Sequence, residues 1–321
     1  MNHTIVDIFE QLYRRYRDVG QHHDKIRAMA YNKAIAILKK YPETMKSGGD
    51  VRNWARQNDM KGIGDKIVNK IDEIIATQNL HTLDLLKKDE DPKRVKMIDI
   101  FQTIHGIGPA NAVRLYDIEK IHTIKQLERL VTNDSDILTH AQRIGIKYRE
   151  VLLERIPYNQ IYLFQFTIAY CLNKQFGETF KIQTAGSFRR KKATSGDIDI
   201  MLQSDSFTLD DAIRVLQRHG IVLDVLAVKD KKFMGVATCP GQTTNPFRLD
   251  IFMTTKENWW AALVTHTGPK ELNTMMRARA GDMGMKLSDQ GLTRGDTKIS
   301  IKSEKALFQK LNMVYVIPTD R

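Results

Sequence analysis

The sequence predicts an α+β multidomain fold, and three observations carry that reading. Apolar residues recur at helical spacing from the N-terminus to about residue 155. Within that half a Gly-Ile-Gly turn leading into a helix occurs twice, at Gly62-Ile63-Gly64 and at Gly106-Ile107-Gly108. After Pro157 short apolar runs of strand type alternate with a helix, and three acids interrupt them: Asp197, Asp199 and Asp250.

The N-terminal elements follow in order. Val6, Ile8, Phe9, Leu12 and Tyr16 lie near helical spacing, residues 26–40 continue it, and Tyr41-Pro42 closes the helix. The first glycine turn is followed directly by Asp65, Lys66 and a helical run through Lys70 and Ile71. The second is followed by Pro109, a residue suited to the first turn of a helix. Backbone N–H groups at such helix starts can face a phosphate. Paired hairpins of this kind grip the nucleic-acid backbone and do not read sequence. Gly62, Gly64, Gly106 and Gly108 are therefore candidate DNA-binding positions. Residues 87–93, which include Asp89, Glu90 and Pro92, form a polar stretch and a candidate linker. The predicted division is 1–88, 89–156, 157–256 and 257–321.

The C-terminal half predicts a helix over 161–176, strands over 179–184, 197–202, 221–228, 233–238 and 247–253, and a helix over 209–219. Residues from 257 onward carry Trp259-Trp260, then Thr265-His266-Thr267-Gly268-Pro269, then a helix through Arg277.

Composition narrows the partners. The net charge is +12 and the pI about 9.5, which favours an anionic partner such as nucleic acid. Two cysteines, Cys171 and Cys239, are too few for a disulfide framework and lack metal spacing. They predict reduced thiols in an intracellular protein. Asp7 and Glu10 interrupt any secretory h-region. The most apolar run, 161–172, is too short to span a membrane.

The chemistry concentrates in residues 185–199. Asp197 and Asp199 are two apart on a predicted strand, so both side chains project from one face. Paired carboxylates repel unless a cation sits between them, and oxygen ligands suit Mg²⁺. Asp250, alone among apolar neighbours, is costly to bury unless it is paired or ligates a metal. Three such acids can hold two Mg²⁺ ions at a spacing of ~4 Å. Gly186-Ser187 offers a close backbone approach and a hydroxyl, while Arg189, Arg190, Lys191 and Lys192 add positive charge. A phosphate site beside a carboxylate metal site points to phosphoryl or nucleotidyl transfer.

These residues, in this order, resemble the family X DNA polymerases, most closely those of the beta type. The resemblance covers nearly the whole chain. It includes Tyr41-Pro42, Lys46-Ser47-Gly48, both glycine hairpins, Gln142-Arg143-Ile144-Gly145, Glu154-Arg155-Ile156-Pro157, Gly186-Ser187-Phe188-Arg189-Arg190, Ser195-Gly196-Asp197, Lys232-Phe233-Met234-Gly235-Val236 and Met276-Arg277-Ala278.

The resemblance implies a helical lyase domain with helix-hairpin-helix motifs, then a polymerase domain with a beta-type nucleotidyltransferase palm. It implies short-gap filling in base excision repair and a 5′-deoxyribose phosphate lyase working through a Schiff base. Asp197, Asp199 and Asp250 would bind two Mg²⁺ ions, with Mn²⁺ able to substitute, and Asp250 would accept the primer hydroxyl proton. Ser187, Arg190, Gly196, Gly268 and Asn273 would hold the nucleotide, supported by Arg155. Lys232 and Arg277 would contact the template. Lys70 would be the Schiff-base lysine, supported by Tyr31 and Lys66, with Lys66 and partial burial lowering its pKa. Na⁺ or K⁺ would sit at the hairpins. The implied partners are gapped or nicked DNA, deoxynucleoside triphosphates and repair proteins. The implied state is a monomer, in the nucleus or at a viral replication site.

Some positions depart from the beta type. Ile26 and Arg27 replace a His-Lys pair, and Asn58 and Thr82 replace lysines, so the 5′-phosphate pocket carries less charge. Lys270 replaces an acid. Thr265 and His266 replace a Tyr-Phe pair beside the sugar, which predicts weaker rejection of ribonucleotides and a pH dependence near neutrality from His266. Three other readings stand at this level: a repair polymerase without effective lyase activity, another nucleotidyltransferase on the same fold, and a non-enzymatic DNA-end scaffold.

Overall fold

The computed structural model describes residues 2–19, 22–88, 91–133, 136–177, 180–240 and 245–321. The chain divides into two compact units, Met1–Ser135 and Asp136–Arg321. Asp89, Glu90 and Thr179, which the sequence placed in a linker and a strand, lie outside the described residues.

The first unit is helical. It contains α1 (Asn2–Val19), α2 (His22–Leu38), α3 (Gly48–Gln57), α4 (Asp65–Thr77), α5 (His81–Lys88), α6 (Pro92–Gln102), α7 (Pro109–Val113) and α8 (Ile124–Thr132). The predicted periodicity is realised: Ile5, Ile8, Phe9 and Leu12 of α1 meet Ala34, Ile35 and Leu38 of α2 and Ile67, Ile71 and Ile74 of α4 in one core. Ser47 caps α3 by accepting from the Asp50 N–H at 3.0 Å. A Cβ on Gly48 would stand 2.5 Å from the Val68 carbonyl oxygen, so α3 starts in direct contact with the α4 backbone.

The second unit starts with α9 (His140–Lys147) and β1 (Ile156–Pro157). There follow α10 (Tyr158–Phe176), β2 (Phe180–Thr184), α11 (Gly186–Arg189), β3 (Thr194–Ser195), β4 (Ile198–Ser204), α12 (Leu209–Arg218), β5 (Val222–Lys229), β6 (Lys232–Ala237) and β7 (Phe247–Thr254). Five strands form one sheet in the order β2-β4-β7-β6-β5. Only β4 and β7 run parallel within it. Alternation decides the faces. Ile198, Ile200 and Leu202 of β4 pack with Phe164, Ile168 and Leu172 of α10 and Ile213 and Leu216 of α12. The opposite face carries Met201 and Phe252, packed with Trp259 and Leu263, and it is the face that bears Asp199 and Asp250.

The rest of the unit is α13 (Trp259–Thr267), α14 (Lys270–Asp282), β8 (Lys286–Ser288), β9 (Gly291–Arg294), β10 (Thr297–Ile299) and α15 (Glu304–Lys310). The peptide Gly268-Pro269 is cis. The three-stranded sheet β10-β9-β8 is absent from the sequence expectation, because its strands of three or four residues are too short for alternation to register. Helix α10 starts three residues before its expected position. Tyr158 holds that first turn, stacking on Phe188 at 4.4 Å and donating its N–H to the Ala193 carbonyl at 3.0 Å. Strand β4 starts at Ile198, so Asp197 stands at its entrance and not within it. No helix among the described residues is long and apolar enough to cross a membrane.

Candidate active site

The acids come together through sheet register. Asp199 on β4 and Asp250 on β7 are direct partners across the parallel pair, and Asp197 stands just before β4 at its entrance. The Gly186 turn is fitted to this pair. Its φ is +55°, and a Cβ there would stand 2.1 Å from Asp199 Oδ2. Only glycine accommodates both demands. The Ala185 N–H donates to the Asp199 carbonyl at 2.8 Å, which ties the turn to β4.

The electrostatics are those of a crowded anionic site. Burial, then the charges of Asp197 and Asp250, push Asp199 up to about 7, with Arg248 and Lys232 opposing. Burial also raises Asp250 against the pull of Arg248 and Lys232. Arg248 reaches Asp197 Oδ2 at 2.8 Å and Asp250 Oδ1 at 3.7 Å. Lys232 Nζ lies 3.3 Å from Asp250 Oδ2. Asp250 Oδ1 is buried without a hydrogen-bond donor. That orphaned oxygen and the strained protonation of Asp199 are what an oxygen-liganded divalent cation relieves, so the donor set fits Mg²⁺ or Mn²⁺. Among the described residues, no group of three or more His, Cys, Asp or Glu side chains is already gathered to hold a metal. Arg248 and Lys232 serve as counter-charges instead.

Beside the acids lies a cationic turn. Ser187 Oγ donates to Ser195 Oγ at 2.7 Å. Arg190 donates to the Thr267 carbonyl. Gly268, at φ +66°, leaves room for the Arg190 guanidinium, which a Cβ would meet at 3.2 Å. Arg189 donates to Thr267 Oγ1 at 2.9 Å and to both carboxylate oxygens of Glu304, at 2.7 and 3.1 Å. Asn273 donates to the Thr265 carbonyl at 2.7 Å. The structure thus joins Ser187, Arg190 and Gly268 around α11 and the end of α13. The Arg155 guanidinium donates to the Thr194 hydroxyl and carbonyl oxygens and flanks Gly196. Arg277 is exposed on α14, near enough for its charge to act on His266.

The expected pH dependence near neutrality from His266 is overturned. Its ring stacks on Phe252 with centroids 3.7 Å apart, and burial pushes its pKa down to about 4. The imidazole is neutral at neutral pH and cannot supply a titration there.

The other candidate residues belong to the first unit. Gly62 packs against Ile37 and Lys33, and Gly64 caps α4 with open space beside it. Gly106, at φ +84°, makes the second turn, and Gly108 caps α7 with open space as well. Lys70 Nζ donates to Thr82 Oγ1 at 2.9 Å. Burial lowers its pKa while Glu73 opposes. Lys66, expected to assist, is not among the causes, which corrects that part of the reading. Tyr31 stacks on Tyr16 at 5.5 Å and meets Phe9 edge-on. Burial pushes its hydroxyl up to about 12.

Sequence reasoning missed Arg248, Glu304 and Arg321, and it named Thr82 only as a lost lysine, not as the acceptor for Lys70. Arg248 had a signal: it lies two residues before Asp250 on a strand and so shares its face. Glu304 and Arg321 had none: Glu304 pairs with Arg189, which is remote in sequence, and Arg321 pairs with Glu304.

Family models match four consecutive segments: a helix-hairpin-helix domain over residues 1–80, the fingers domain of DNA polymerase lambda over 99–152, the DNA polymerase beta palm over 155–256 and the DNA polymerase beta thumb over 262–321. DNA polymerase lambda of Arabidopsis thaliana is 30% identical over 351 residues, covering 100% of this chain and 62% of the relative. DNA polymerase lambda of Rattus norvegicus is 26% identical, covering 100% and 56%. DNA polymerase/3'-5' exonuclease PolX of Bacillus subtilis is 25% identical, covering 84% and 45%. The chain thus spans less than two thirds of the length of each of these relatives. With all four segments matched in order, the chain belongs to the family X DNA polymerases.

Proposed function

We propose that this chain is a DNA-directed DNA polymerase that fills short gaps in base excision repair by two-metal nucleotidyl transfer. The observation that carries the reading is the register of Asp199 opposite Asp250, beside the Gly186-Ser187 turn. Bound at Asp197, Asp199 and Asp250, two divalent ions would lower the pKa of the primer 3′-hydroxyl and offset charge on the phosphates. Asp250 takes the hydroxyl proton. Ser187 and Arg190 bind the triphosphate, and Arg155 and Gly196 shape its edge. Gly268 and Asn273 position the nucleotide, and Arg277 and Lys232 face the template. The glycine hairpins hold the DNA backbone, with Na⁺ or K⁺ at each. The protein works as a monomer on gapped or nicked DNA with deoxynucleoside triphosphates, in the nucleus or at a viral replication site. The division at residues 88, 156 and 256 goes with these roles.

The lyase is the second part of the proposal. Lys70 is half-buried, its pKa is lowered, and its amine is held by Thr82. Burial favours the neutral amine, which attacks an aldehyde carbon and, with loss of water, forms a Schiff base, while Thr82 holds the amine in place. The test is nucleotide incorporation on one-nucleotide gaps with and without a 5′-phosphate, in wild type and Asp250→Ala. We expect wild-type extension and no extension by the variant, at similar DNA affinity. Extension by Asp250→Ala at the wild-type rate would remove Asp250 from the mechanism.

A further inference from the structure

We infer that Lys232 is a resident counter-cation of the metal-binding carboxylates, and that nucleic acid draws it away. The inference rests on the proposed role of Asp197, Asp199 and Asp250 as metal ligands. Lys232 Nζ stands 3.3 Å from Asp250 Oδ2 and 5.0 Å above the Phe252 ring. The two partners differ in freedom: the Asp250 side chain is 6% exposed, that of Lys232 42%. Lys232 can therefore leave, whereas Asp250 cannot follow. The other counter-cation, Arg248, is held more firmly, being 26% exposed and bonded to Asp197 at 2.8 Å. As long as Lys232 occupies Asp250 Oδ2, a divalent cation must displace an ammonium to reach that oxygen and must bear its repulsion.

The neighbourhood supplies the competing anion. Lys232 follows the turn between β5 and β6, where Lys229, Asp230 and Lys231 are all exposed. Three lysines within four residues make this tip a landing place for a phosphodiester backbone. A phosphate at the tip offers the Lys232 ammonium a second anionic partner. When Lys232 turns to it, Asp250 Oδ2 becomes available to metal. DNA binding and divalent-cation binding then reinforce each other, by the same factor in both directions.

The experiment titrates Mn²⁺ alone, with free ion followed by electron paramagnetic resonance. The samples are wild type, Lys232→Met and Lys232→Arg, each with and without one-nucleotide-gapped duplex and with no nucleotide present. Binding to the duplex itself is subtracted, and a thermal melt verifies that each variant is folded. Without DNA, Lys232→Met is expected to bind Mn²⁺ about tenfold more tightly than wild type, somewhat beyond what losing one partly exposed ion pair gives, because repulsion is removed as well. DNA should raise wild-type affinity by a similar factor and leave Lys232→Met nearly unchanged. Lys232→Arg, which keeps the charge, should match wild type without DNA. Equal Mn²⁺ affinity in wild type and Lys232→Met without DNA overturns the inference and leaves the metal reading intact. Absence of Mn²⁺ binding by wild type in both conditions overturns the metal reading itself.

Discussion

Glu304→Gln is expected to destabilise the second unit substantially, although Glu304 touches none of the carboxylates. Its side chain is 6% exposed and lies between Arg189, 18% exposed, and Arg321, whose side chain is 0% exposed. Arg189 reaches it at 2.7 and 3.1 Å, Arg321 at 3.4 Å, and the Tyr315 hydroxyl at 3.2 Å. The substitution keeps the shape and removes the charge, so two enclosed guanidinium groups lose the carboxylate that pairs with both. Removing one partner of a buried pair costs about 3–5 kcal/mol. The amide still accepts one hydrogen bond, so the lower end applies. For a unit of this size that corresponds to a fall in melting temperature of roughly 6–12 °C.

The same carboxylate has a pH signature. Burial pushes Glu304 up, but the Arg189 hydrogen bond and the Arg189 and Arg321 charges outweigh it and leave the group below its ordinary value. A lowered folded pKa means stability that is present above the unfolded pKa, about 4.3 for Glu, and lost as pH falls through the folded one. Calorimetry from pH 7 downward should show the gap between wild type and Glu304→Gln closing below about pH 4. A melting temperature at pH 7 within about 2 °C of wild type, or a gap unchanged down to pH 3, would refute the reasoning.

Three further outcomes are expected. Lys70→Ala should abolish borohydride trapping on an incised abasic site and leave gap filling unchanged; full trapping in the variant moves the nucleophile elsewhere, and Thr82→Val should weaken trapping by loosening the amine. The ratio of kcat/KM for deoxy- over ribonucleotide should be independent of pH between 6 and 8, because His266 stays neutral there. Thr265→Tyr/His266→Phe should raise that ratio up to about 100-fold, the scale of shape discrimination, and an unchanged ratio would assign the gate to the backbone. For Asp199, pushed up to about 7, the sign is opposite to that of Glu304. The folded state binds the proton more tightly, so without divalent cation stability should fall as pH rises from about 4 to 7. Asp199→Asn should flatten that slope in denaturant titrations, and an unaltered slope would show that Asp199 titrates normally.

What was legible in the sequence is what local spacing encodes. The helical first half and the strands bearing Asp199 and Asp250 follow from periods of 3.6 and 2, and the two turns from their Gly-Ile-Gly residues. Those periods even contained Arg248, two residues from Asp250 on the same face. The short strands β8, β9 and β10 escaped because they carry too few residues to show a period. The remainder is long-range. Nothing near His266 in the sequence announces Phe252, yet that stack decides whether the imidazole is charged. Thr82 read as a lost lysine, but it is the group that holds the Lys70 amine. Lys232 read as a DNA contact, but in the folded protein its nearest anion is Asp250. In each case residue identity was visible and the partner was not, and the partner sets protonation, charge balance and hence chemistry. A motif can therefore locate the carboxylates of this site. The ion pairs across the sheet set the charge that surrounds those carboxylates.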